Sequence, residues 1–158
     1  MRRAVVITVS TRVAAGQSED QAGPAVVAIL AQEGFASAAP IIVTDGIDEV
    51  AEAIVTACET ADLVVTTGGT GLSPRDLTPE ATRTVLNREA PGLGEAMRAG
   101  SIQKTPMAML SRAIAGVRGT SLVVNLPGSP KGAVENLEVL LPILGHALDQ
   151  IAGGDHPA

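Results

Sequence analysis

The stretch Leu63-Val64-Val65-Thr66-Thr67-Gly68-Gly69-Thr70-Gly71 decides how this chain folds. Its first half is a short, uninterrupted run rich in β-branched residues, which predicts a strand buried on both faces of a sheet. Its second half is a glycine-rich loop that begins where this strand would end. A strand that is buried on both faces is typical of a parallel sheet, whose strands are joined through crossover helices.

Apolar runs and helical patterns alternate on both sides of this stretch. Strands are predicted at residues 4–9, 40–44 and 63–67, and a hairpin is predicted from residues 113–117 through Arg118-Gly119-Thr120 to residues 121–125. Helices are predicted at residues 25–33, 48–60, 92–100, 106–111 and 131–152. A further helix is predicted to start with Thr78 as its N-cap, and Pro142 is expected to kink or divide the last helix. This order indicates an α/β protein with a mostly parallel central sheet and helices on both faces.

Length and composition predict one globular domain. The chain has 158 residues, 46% of them hydrophobic, which excludes a disordered chain, and no run of about 18 apolar residues could span a bilayer. We expect residues 1–152 to form the domain and residues 153–158 to be a flexible tail. The N-terminus runs directly into a strand pattern without a signal peptide, and Cys58 is the single cysteine; both observations predict a cytoplasmic protein.

The charge balance argues against nucleic acid as a partner and for a small anion. The net charge is −6 and Phe35 is the single aromatic residue, so the chain lacks both the basic surface and the stacking rings of nucleic-acid-binding modules. Residues 71–131, however, carry a net charge of +4, between an N-terminal part of −6 and a C-terminal part of −4. A basic middle segment can attract a small anion. Chance variation of charge on exposed helix faces would give the same pattern.

Polar and glycine residues collect where the predicted strands end. Ligands of open parallel sheets bind outside the carboxyl ends of the strands. The segments found there are Ser10-Thr11-Arg12, Asp45-Gly46, Thr67-Gly68-Gly69-Thr70-Gly71 and Asn125-Leu126-Pro127-Gly128-Ser129-Pro130. Glycine loops let backbone N–H groups approach a phosphate, although ordinary turns use the same residues. The two glycine loops, at residues 67–71 and 125–130, do not match the P-loop pattern, and no dinucleotide-binding fingerprint opens a helix after the first strand.

Asp45 and Asp76 are the candidate metal ligands. Carboxylates at a phosphate-binding edge would repel the ligand unless a cation lies between them, and Mg²⁺ is typically held by one or two carboxylates together with substrate phosphates. Two structural roles are also open: Asp45 as a turn residue before Gly46, and Asp76 as a cap for the helix that starts near Thr78.

Other catalytic classes find little support in this sequence. His146 and His156 are the only histidines, which nearly excludes histidine-based triads and metal clusters. Cys58 lies on the apolar face of a predicted helix, as a buried structural thiol would. Ser10 and Ser129 lack a candidate base. Phosphoryl or nucleotidyl transfer to a phosphate remains, because a phosphate monoester is already anionic at neutral pH and needs positioning more than deprotonation.

The chain resembles one family over nearly its whole length. The motifs are Thr66-Thr67-Gly68-Gly69-Thr70-Gly71, Arg75-Asp76-Leu77-Thr78-Pro79-Glu80-Ala81, Pro91-Gly92-Leu93-Gly94-Glu95-Ala96-Met97-Arg98, Met109-Leu110-Ser111-Arg112 and Asn125-Leu126-Pro127-Gly128-Ser129-Pro130. They resemble the molybdopterin adenylyltransferase (Mog/MoaB) family of molybdenum cofactor biosynthesis. The resemblance implies a three-layer α/β/α sandwich, a homotrimer or homohexamer, and a nucleotidyltransferase that adenylates molybdopterin with ATP and Mg²⁺ and releases pyrophosphate. A non-catalytic molybdopterin-binding carrier and a nucleotide pyrophosphatase are the alternatives.

The resemblance also implies roles for individual residues. Asp76 and Asp45 match the catalytic and metal-binding aspartates. The substrate-binding positions are Ser10, Thr67, Gly68, Gly69, Thr70, Gly71, Ser111 and Arg112, and the nucleotide-binding positions are Asn125, Pro127, Gly128 and Ser129. The basic stretch from Arg98 to Arg118 matches either a docking surface for the anionic end of the pterin or a subunit contact. The chain departs from the family at Ser10-Thr11, where many members have Ser-Asp, and at Ala22-Gly23-Pro24, where many have Ser or Thr before Gly-Pro.

Overall fold

The strand predicted at residues 63–67 lies in the middle of the sheet, as its composition requires. The structure is a computed structural model that describes residues 1–154. In chain order its elements are β1 (Arg3–Val9), α1 (Thr11–Ala14), α2 (Ala22–Gln32), β2 (Ala36–Ser37), β3 (Ile41–Val43), α3 (Ile47–Cys58), β4 (Leu63–Thr67), α4 (Thr78–Val85), β5 (Arg88–Glu89), α5 (Pro91–Ile102), a 3-10 helix (Pro106–Leu110), β6 (Ala115–Arg118), β7 (Ser121–Leu126) and α6 (Pro130–Ile151).

The strands form one mostly parallel sheet. Their order is β2-β1-β4-β7-β6-β5, and β3 pairs with β1 beside β2. The strands β1, β2, β3, β4 and β7 run parallel, whereas β6 and β5 are antiparallel to their neighbours. The predicted hairpin is the β6–β7 pair. The α/β class with a mostly parallel central sheet is therefore confirmed.

Alternation along β1 explains why helices cover both faces. Ala4 and Val6 pack in a core with α2, α5 and α6, while Ile7 and Val9 pack in a second core with α3 and α4. Successive side chains of a strand point to opposite faces, so an apolar residue at nearly every position of β1 requires a helix layer on each side. The sheet and the helix layer on each of its faces form the predicted three-layer α/β/α sandwich.

One local prediction was wrong, and a second was wrong in one of its two alternatives. Thr78 is the first residue of α4, and the N-cap is Leu77, which makes no side-chain cap. The Thr78 hydroxyl instead donates a hydrogen bond to the carbonyl oxygen of Gly68 at 2.9 Å. The hydroxyl is therefore bonded to the glycine loop and does not cap the helix. Pro142 does not divide the last helix, because α6 is continuous from Pro130 to Ile151.

The shortest elements were not predicted from the sequence. The four-residue helix α1 and the two-residue strands β2 and β5 are too short for hydrophobic periodicity to reveal them. At the C-terminus, the N–H groups of Gly153 and Gly154 donate to Gln150 and Asp149. The rest of the predicted tail, residues 155–158, lies outside the described residues. Within residues 1–154, no helix has the length and apolar character needed to cross a membrane.

Candidate active site

The register of the parallel strands brings four loops to one edge of the sheet. Thr67 at the end of β4 pairs with Thr8 of β1 on one side and with Leu126 of β7 on the other. Val43 at the end of β3 pairs with Val9. The segments that follow these strands are those expected at the site, and the structure places them side by side.

Two glycine loops touch each other through their backbones at this edge. The N–H of Gly68 donates to the carbonyl oxygen of Leu126 at 3.1 Å. Gly68 has a φ of +91°, and a Cβ at this position would overlap the carbonyl oxygen of Val9. A Cβ on Gly128 would lie 3.2 Å from the Cα of Gly68. Gly68 therefore requires glycine, whereas a Cβ at Gly128 would push the two loops apart by a few tenths of an ångström.

These loops separate two cavities. Gly68, Gly69 and Gly128 line the larger cavity, which has a volume of about 600 Å³. The smaller cavity, of about 240 Å³, is lined from the same loops by Thr70, Gly71, Pro127 and Ser129. Each loop thus contributes to both cavities, and their backbones form the partition.

The larger cavity holds both candidate aspartates. Asp45 and Asp76 line it together with Ser10 and Thr67, as the sequence predicted for one site. Nine further lining residues with polar or charged side chains were not among the predicted site residues: Thr8, Thr11, Arg12, Ser18, Glu19, Asp20, Gln21, Ser73 and Arg75. For some of them the signal was present, since Thr11 and Arg12 lie just after the end of β1 and Arg75 precedes Asp76, but these residues were not predicted as ligands.

The carboxylate of Asp45 is held from the start of α1. Its Oδ2 accepts hydrogen bonds from the N–H of Thr11 at 3.1 Å and from the Thr11 hydroxyl at 2.8 Å. Its Oδ1 accepts no hydrogen bond from residues 1–154. Asp45 is therefore more than a turn residue before Gly46, because its side chain bridges two strand ends and keeps one oxygen available.

Asp76 is held by its own loop. Its Oδ2 accepts a hydrogen bond from the N–H of Ser73 at 3.0 Å, and its own N–H donates to the Ser73 carbonyl oxygen at 2.9 Å. The helix α4 starts two residues later without a side-chain cap, so Asp76 is not the cap considered from the sequence. Its Oδ1 likewise has no hydrogen-bond partner among the described residues.

Arg112 supports this loop and lies outside both cavities. Its guanidinium donates to the carbonyl oxygens of Gly71 at 2.9 Å and Asp76 at 2.7 Å, and it forms an ion pair with Glu80. The hydrogen bond from Arg112 lowers the pKa of the Glu80 carboxyl below its usual value. The structure thus places Arg112 behind the loop, where it fixes the shape of residues 71–76, whereas Ser111 lines the smaller cavity.

Asn125 is also placed differently from its predicted role. Its side chain is fully buried; the amide donates to the hydroxyls of Thr66 at 3.0 Å and Thr82 at 2.9 Å and accepts from the N–H of Ile114 at 3.2 Å. These bonds occupy the amide inside the protein. Asn125 lines neither of the two cavities, and it tethers β7 to β4 and α4 below the site.

The basic stretch is used largely for internal contacts. Arg118 donates to the carbonyl oxygen of Val85 at 2.9 Å, and Lys104 pairs with Glu135 at 3.7 Å. Arg98 donates to the carbonyl oxygen of Ala113 at 2.8 Å and also lines the smaller cavity. Of the cations from Arg98 to Arg118 in the described chain, Arg98 is the one that faces either cavity. The cations from Arg98 to Arg118 are therefore used for structural bonds more than for an anion-binding surface.

Cys58 has the environment of a structural thiol. It lies partly buried at the end of α3, and burial raises the pKa of its thiol above the usual value. The thiol therefore stays protonated at neutral pH, which disfavours a role as nucleophile.

The donors in the larger cavity suit Mg²⁺ that arrives with a phosphate ligand. Two carboxylates with one available oxygen each and nearby hydroxyl groups are the hard oxygen donors that Mg²⁺ prefers. No group of three or more His, Cys, Asp or Glu side chains within residues 1–154 is arranged to hold a metal ion. The remaining ligands would therefore be phosphate oxygens and water, as is usual for this ion.

The fold and the site together define a class of protein: an α/β protein with two adjoining cavities at the strand ends, separated by two glycine loops. The sequence matches, over residues 5–146, the family described as "Probable molybdopterin binding domain". The chain belongs to this family.

Its relatives include proteins named for molybdopterin and tungsten cofactor biosynthesis. The chain is 41% identical over 155 residues to a molybdopterin adenylyltransferase from Helicobacter pylori, with 94% of this chain and 86% of the relative covered. Among solved structures, it is similar to the molybdopterin biosynthesis enzyme MoaB from Thermus thermophilus, with a TM-score of 0.91, 48% identity and coverage of 97% and 98%. It is also similar to the tungsten cofactor synthesizing protein MoaB from Pyrococcus furiosus, with a TM-score of 0.88, 35% identity and coverage of 96% and 97%.

Proposed function

We propose that this chain is a molybdopterin adenylyltransferase of molybdenum cofactor biosynthesis, which transfers AMP from Mg²⁺-ATP to the terminal phosphate of molybdopterin. Its 41% identity to a molybdopterin adenylyltransferase over most of both chains supports the reaction. The observation that carries the proposal is the shared partition, because two cavities that meet at a pair of glycine loops let two phosphate groups meet there.

The larger cavity is the better site for ATP, although four of its lining residues, Ser10, Thr67, Gly68 and Gly69, were predicted to bind the pterin substrate. It has the greater volume, and Arg12 and Arg75 supply positive charge for a polyphosphate. Asp45 and Asp76 each present a carboxylate oxygen to the same space. Bound there, Mg²⁺ would neutralise phosphate charge and the developing charge on the leaving pyrophosphate.

The smaller cavity is the better site for the pterin. Its walls include Met107, Ala108 and Leu110, which offer apolar contact to a flat ring in a chain that has no Trp or Tyr to stack on it. Arg98 supplies one positive charge, and the hydroxyl of Ser111 offers a hydrogen bond at the same wall. The terminal phosphate of the pterin would then lie next to Thr70 and Gly71, at the partition.

The reaction needs no proton acceptor from the chain. An oxygen of the molybdopterin phosphate forms a bond to the α-phosphorus of ATP, and the bond from that phosphorus to the bridging oxygen of the β-phosphate breaks, so pyrophosphate leaves. The attacking phosphate is already largely deprotonated, since the second pKa of a phosphate monoester is about 6. The glycine loops, the two arginines and the carboxylates act by holding and neutralising the reacting groups.

Asp76→Asn tests the proposal directly. The amide preserves the shape of the side chain but removes its charge, so we expect adenylation to be abolished while molybdopterin affinity stays within about threefold, less than the tenfold that 1.4 kcal/mol represents. Purified protein is mixed with molybdopterin, ATP and Mg²⁺, and pyrophosphate release and adenylated molybdopterin are measured.

Glu138→Gln, which removes an exposed carboxylate on α6, is the matched control and should leave the rate unchanged. Wild-type turnover by Asp76→Asn would contradict the role given to Asp76. Molybdopterin binding by the wild-type chain without pyrophosphate release would identify a carrier, and hydrolysis of a dinucleotide without pterin would identify a pyrophosphatase.

We also propose that the protein is a homotrimer or homohexamer and that it acts in the cytoplasm. The support for an oligomer is four exposed apolar residues, Leu72, Met107, Met109 and Leu110, which we propose form one apolar patch. Leu72, Met107 and Met109 are 66%, 67% and 66% exposed. Leu72 follows Gly71, which lines the smaller cavity together with Met107 and Leu110, so the patch borders the site. A second copy of the chain covering it would bury apolar surface that now faces water.

A further inference from the structure

Thr11 and Asp45 are joined by three hydrogen bonds. The Thr11 N–H and hydroxyl both donate to Oδ2 of Asp45, at 3.1 and 2.8 Å. In return, the backbone N–H of Asp45 donates to the Thr11 hydroxyl at 3.1 Å. The hydroxyl is therefore donor and acceptor at once, and it connects the loop after β1 to the turn after β3.

This arrangement leaves one oxygen of the Asp45 carboxylate without a hydrogen bond. Both bonds to the side chain reach Oδ2, and within residues 1–154 no other group donates a hydrogen bond to this carboxylate. Both residues line the larger cavity. With Oδ2 occupied, Oδ1 is the oxygen that remains for a ligand. Asp45 lies in the short turn between β3 and α3, and it is partly exposed.

The chemistry of threonine matters at this position. A carboxylate at position 11 would have no hydrogen to donate to Asp45. The threonine hydroxyl does donate, and it adds a bond to the Asp45 side chain. Alanine or valine at position 11 would keep the backbone N–H bond and lose both hydroxyl bonds.

We propose that Thr11 is a positioning residue, which orients the carboxylate of Asp45 so that Oδ1 binds the divalent cation of a nucleotide–metal complex. This proposal rests on the proposed function for the identity of the nucleotide. Thr11 contacts Asp45 but does not itself bind the cation, which is bound by the Asp45 carboxylate. Pre-ordering a ligand side chain removes part of the cost of ordering it upon binding.

Thr11→Val and Thr11→Ser form the test. Valine keeps the branched shape without the hydroxyl, and serine keeps the hydroxyl. Binding of Mn²⁺ to the full chain, measured by electron paramagnetic resonance in the presence of a non-hydrolysable ATP analogue, reports on the cation without any turnover. We expect the Mn²⁺ dissociation constant of Thr11→Val to rise about tenfold, the scale of a lost hydrogen bond to a charged group. Thr11→Ser should stay within about twofold of the wild type.

Two further variants make the result specific. Asp45→Asn should weaken Mn²⁺ binding at least as much as Thr11→Val, and Thr120→Val, which removes an exposed hydroxyl from the β6–β7 turn, should change nothing. In the double variant Thr11→Val with Asp45→Asn, the first substitution should have no further effect. Thermal unfolding of each variant is recorded in parallel.

The positioning role is overturned if Thr11→Val binds Mn²⁺ as the wild type does. It is also overturned if its effect persists in the Asp45→Asn background, or if a lowered unfolding temperature is the only change. These outcomes differ from failure of the proposed function. A chain that binds Mn²⁺ and nucleotide through Thr11 and Asp45 but does not adenylate molybdopterin keeps the positioning role and loses the reaction.

Discussion

At the scale of single residues, the site depends on backbone groups as much as on side chains. Gly68 contributes no side chain, yet its N–H bonds to Leu126 and its Cα lies against Gly128. Asp45 and Asp76 were predicted to share one site and do line the same cavity. Their geometry could not be predicted, because Thr11 and Ser73, which hold them, are polar loop residues with no distinguishing pattern.

Gly68→Ala should damage both stability and nucleotide binding. Alanine at a positive φ costs about 1–2 kcal/mol, and here its Cβ would also overlap the carbonyl oxygen of Val9. We expect a loss of about 3 kcal/mol in the free energy of unfolding, measured by urea denaturation, and a loss of ATP binding measured by calorimetry.

Gly34→Ala is the matched control for this prediction. Gly34 has a φ of +88°, close to the +91° of Gly68, but a Cβ there would meet no atom within 4 Å. The free energy of unfolding of Gly34→Ala should fall only by the cost of alanine at a positive φ, about 1–2 kcal/mol, and this variant should bind ATP normally. Equal losses in the two variants would show that close packing at Gly68 is unimportant.

The orientation of the Asn125 side chain could not be predicted from the sequence. It precedes a glycine loop at the end of a strand, which suggested a ligand contact. Alternation along β7 turns its side chain into the protein, where Thr66 and Thr82 satisfy it. Whether such partners exist inside depends on other strands and helices, and one strand's pattern carries no information about them.

At the scale of elements, long apolar segments were predictable and short polar ones were not. The strand predicted at residues 63–67 has the bounds of β4, and the last helix was predicted one residue later than α6 at each end. The helix α1 has four residues, and at its start Val13 N–H donates to the Ser10 hydroxyl and Ala14 N–H to the Ser10 carbonyl oxygen. Its first residue, Thr11, also donates to Asp45, which lies 34 residues further along the chain.

The contact between α4 and the segment after the 3-10 helix gives a pH-dependent prediction. The Glu80 pKa is lowered by Arg112, so the pair stabilises the fold above the ordinary carboxyl pKa, and this contribution is lost as the pH falls through the lower value of the folded state. Wild type should exceed Glu80→Gln in stability at pH 6, by less than about 1 kcal/mol because the pair is partly exposed. The difference should shrink toward pH 3, as measured by urea denaturation.

Glu138→Gln again controls for removal of a carboxylate from an exposed helix position. A stability difference between wild type and Glu80→Gln that is the same at pH 6 and pH 3 would mean that the ion pair does not contribute through the charge of Glu80.

At the scale of the whole molecule, the proposed oligomer predicts a change of mass. Leu72→Glu puts a charge into the apolar patch without altering a cavity wall, and burying an unpaired charge is strongly unfavourable. We expect the trimer or hexamer to dissociate toward monomers, measured by size-exclusion chromatography with light scattering.

Ile143→Glu is the comparison for this variant, since Ile143 is an exposed apolar residue on α6 outside the patch. It should leave the assembly intact. A monomeric wild-type chain, or a Leu72→Glu variant with an unchanged mass, would contradict the use of the patch as a contact between copies.

The partition between the cavities has a consequence for how such a protein diversifies. Its dividing atoms belong to the main chain of Gly68 and Gly128, which come from two neighbouring parallel strands fixed in register. The walls on either side come from other segments, such as the 3-10 helix for one cavity and the loop after β1 for the other. Mutations in one wall therefore leave the junction unchanged, and the two binding preferences are free to evolve independently.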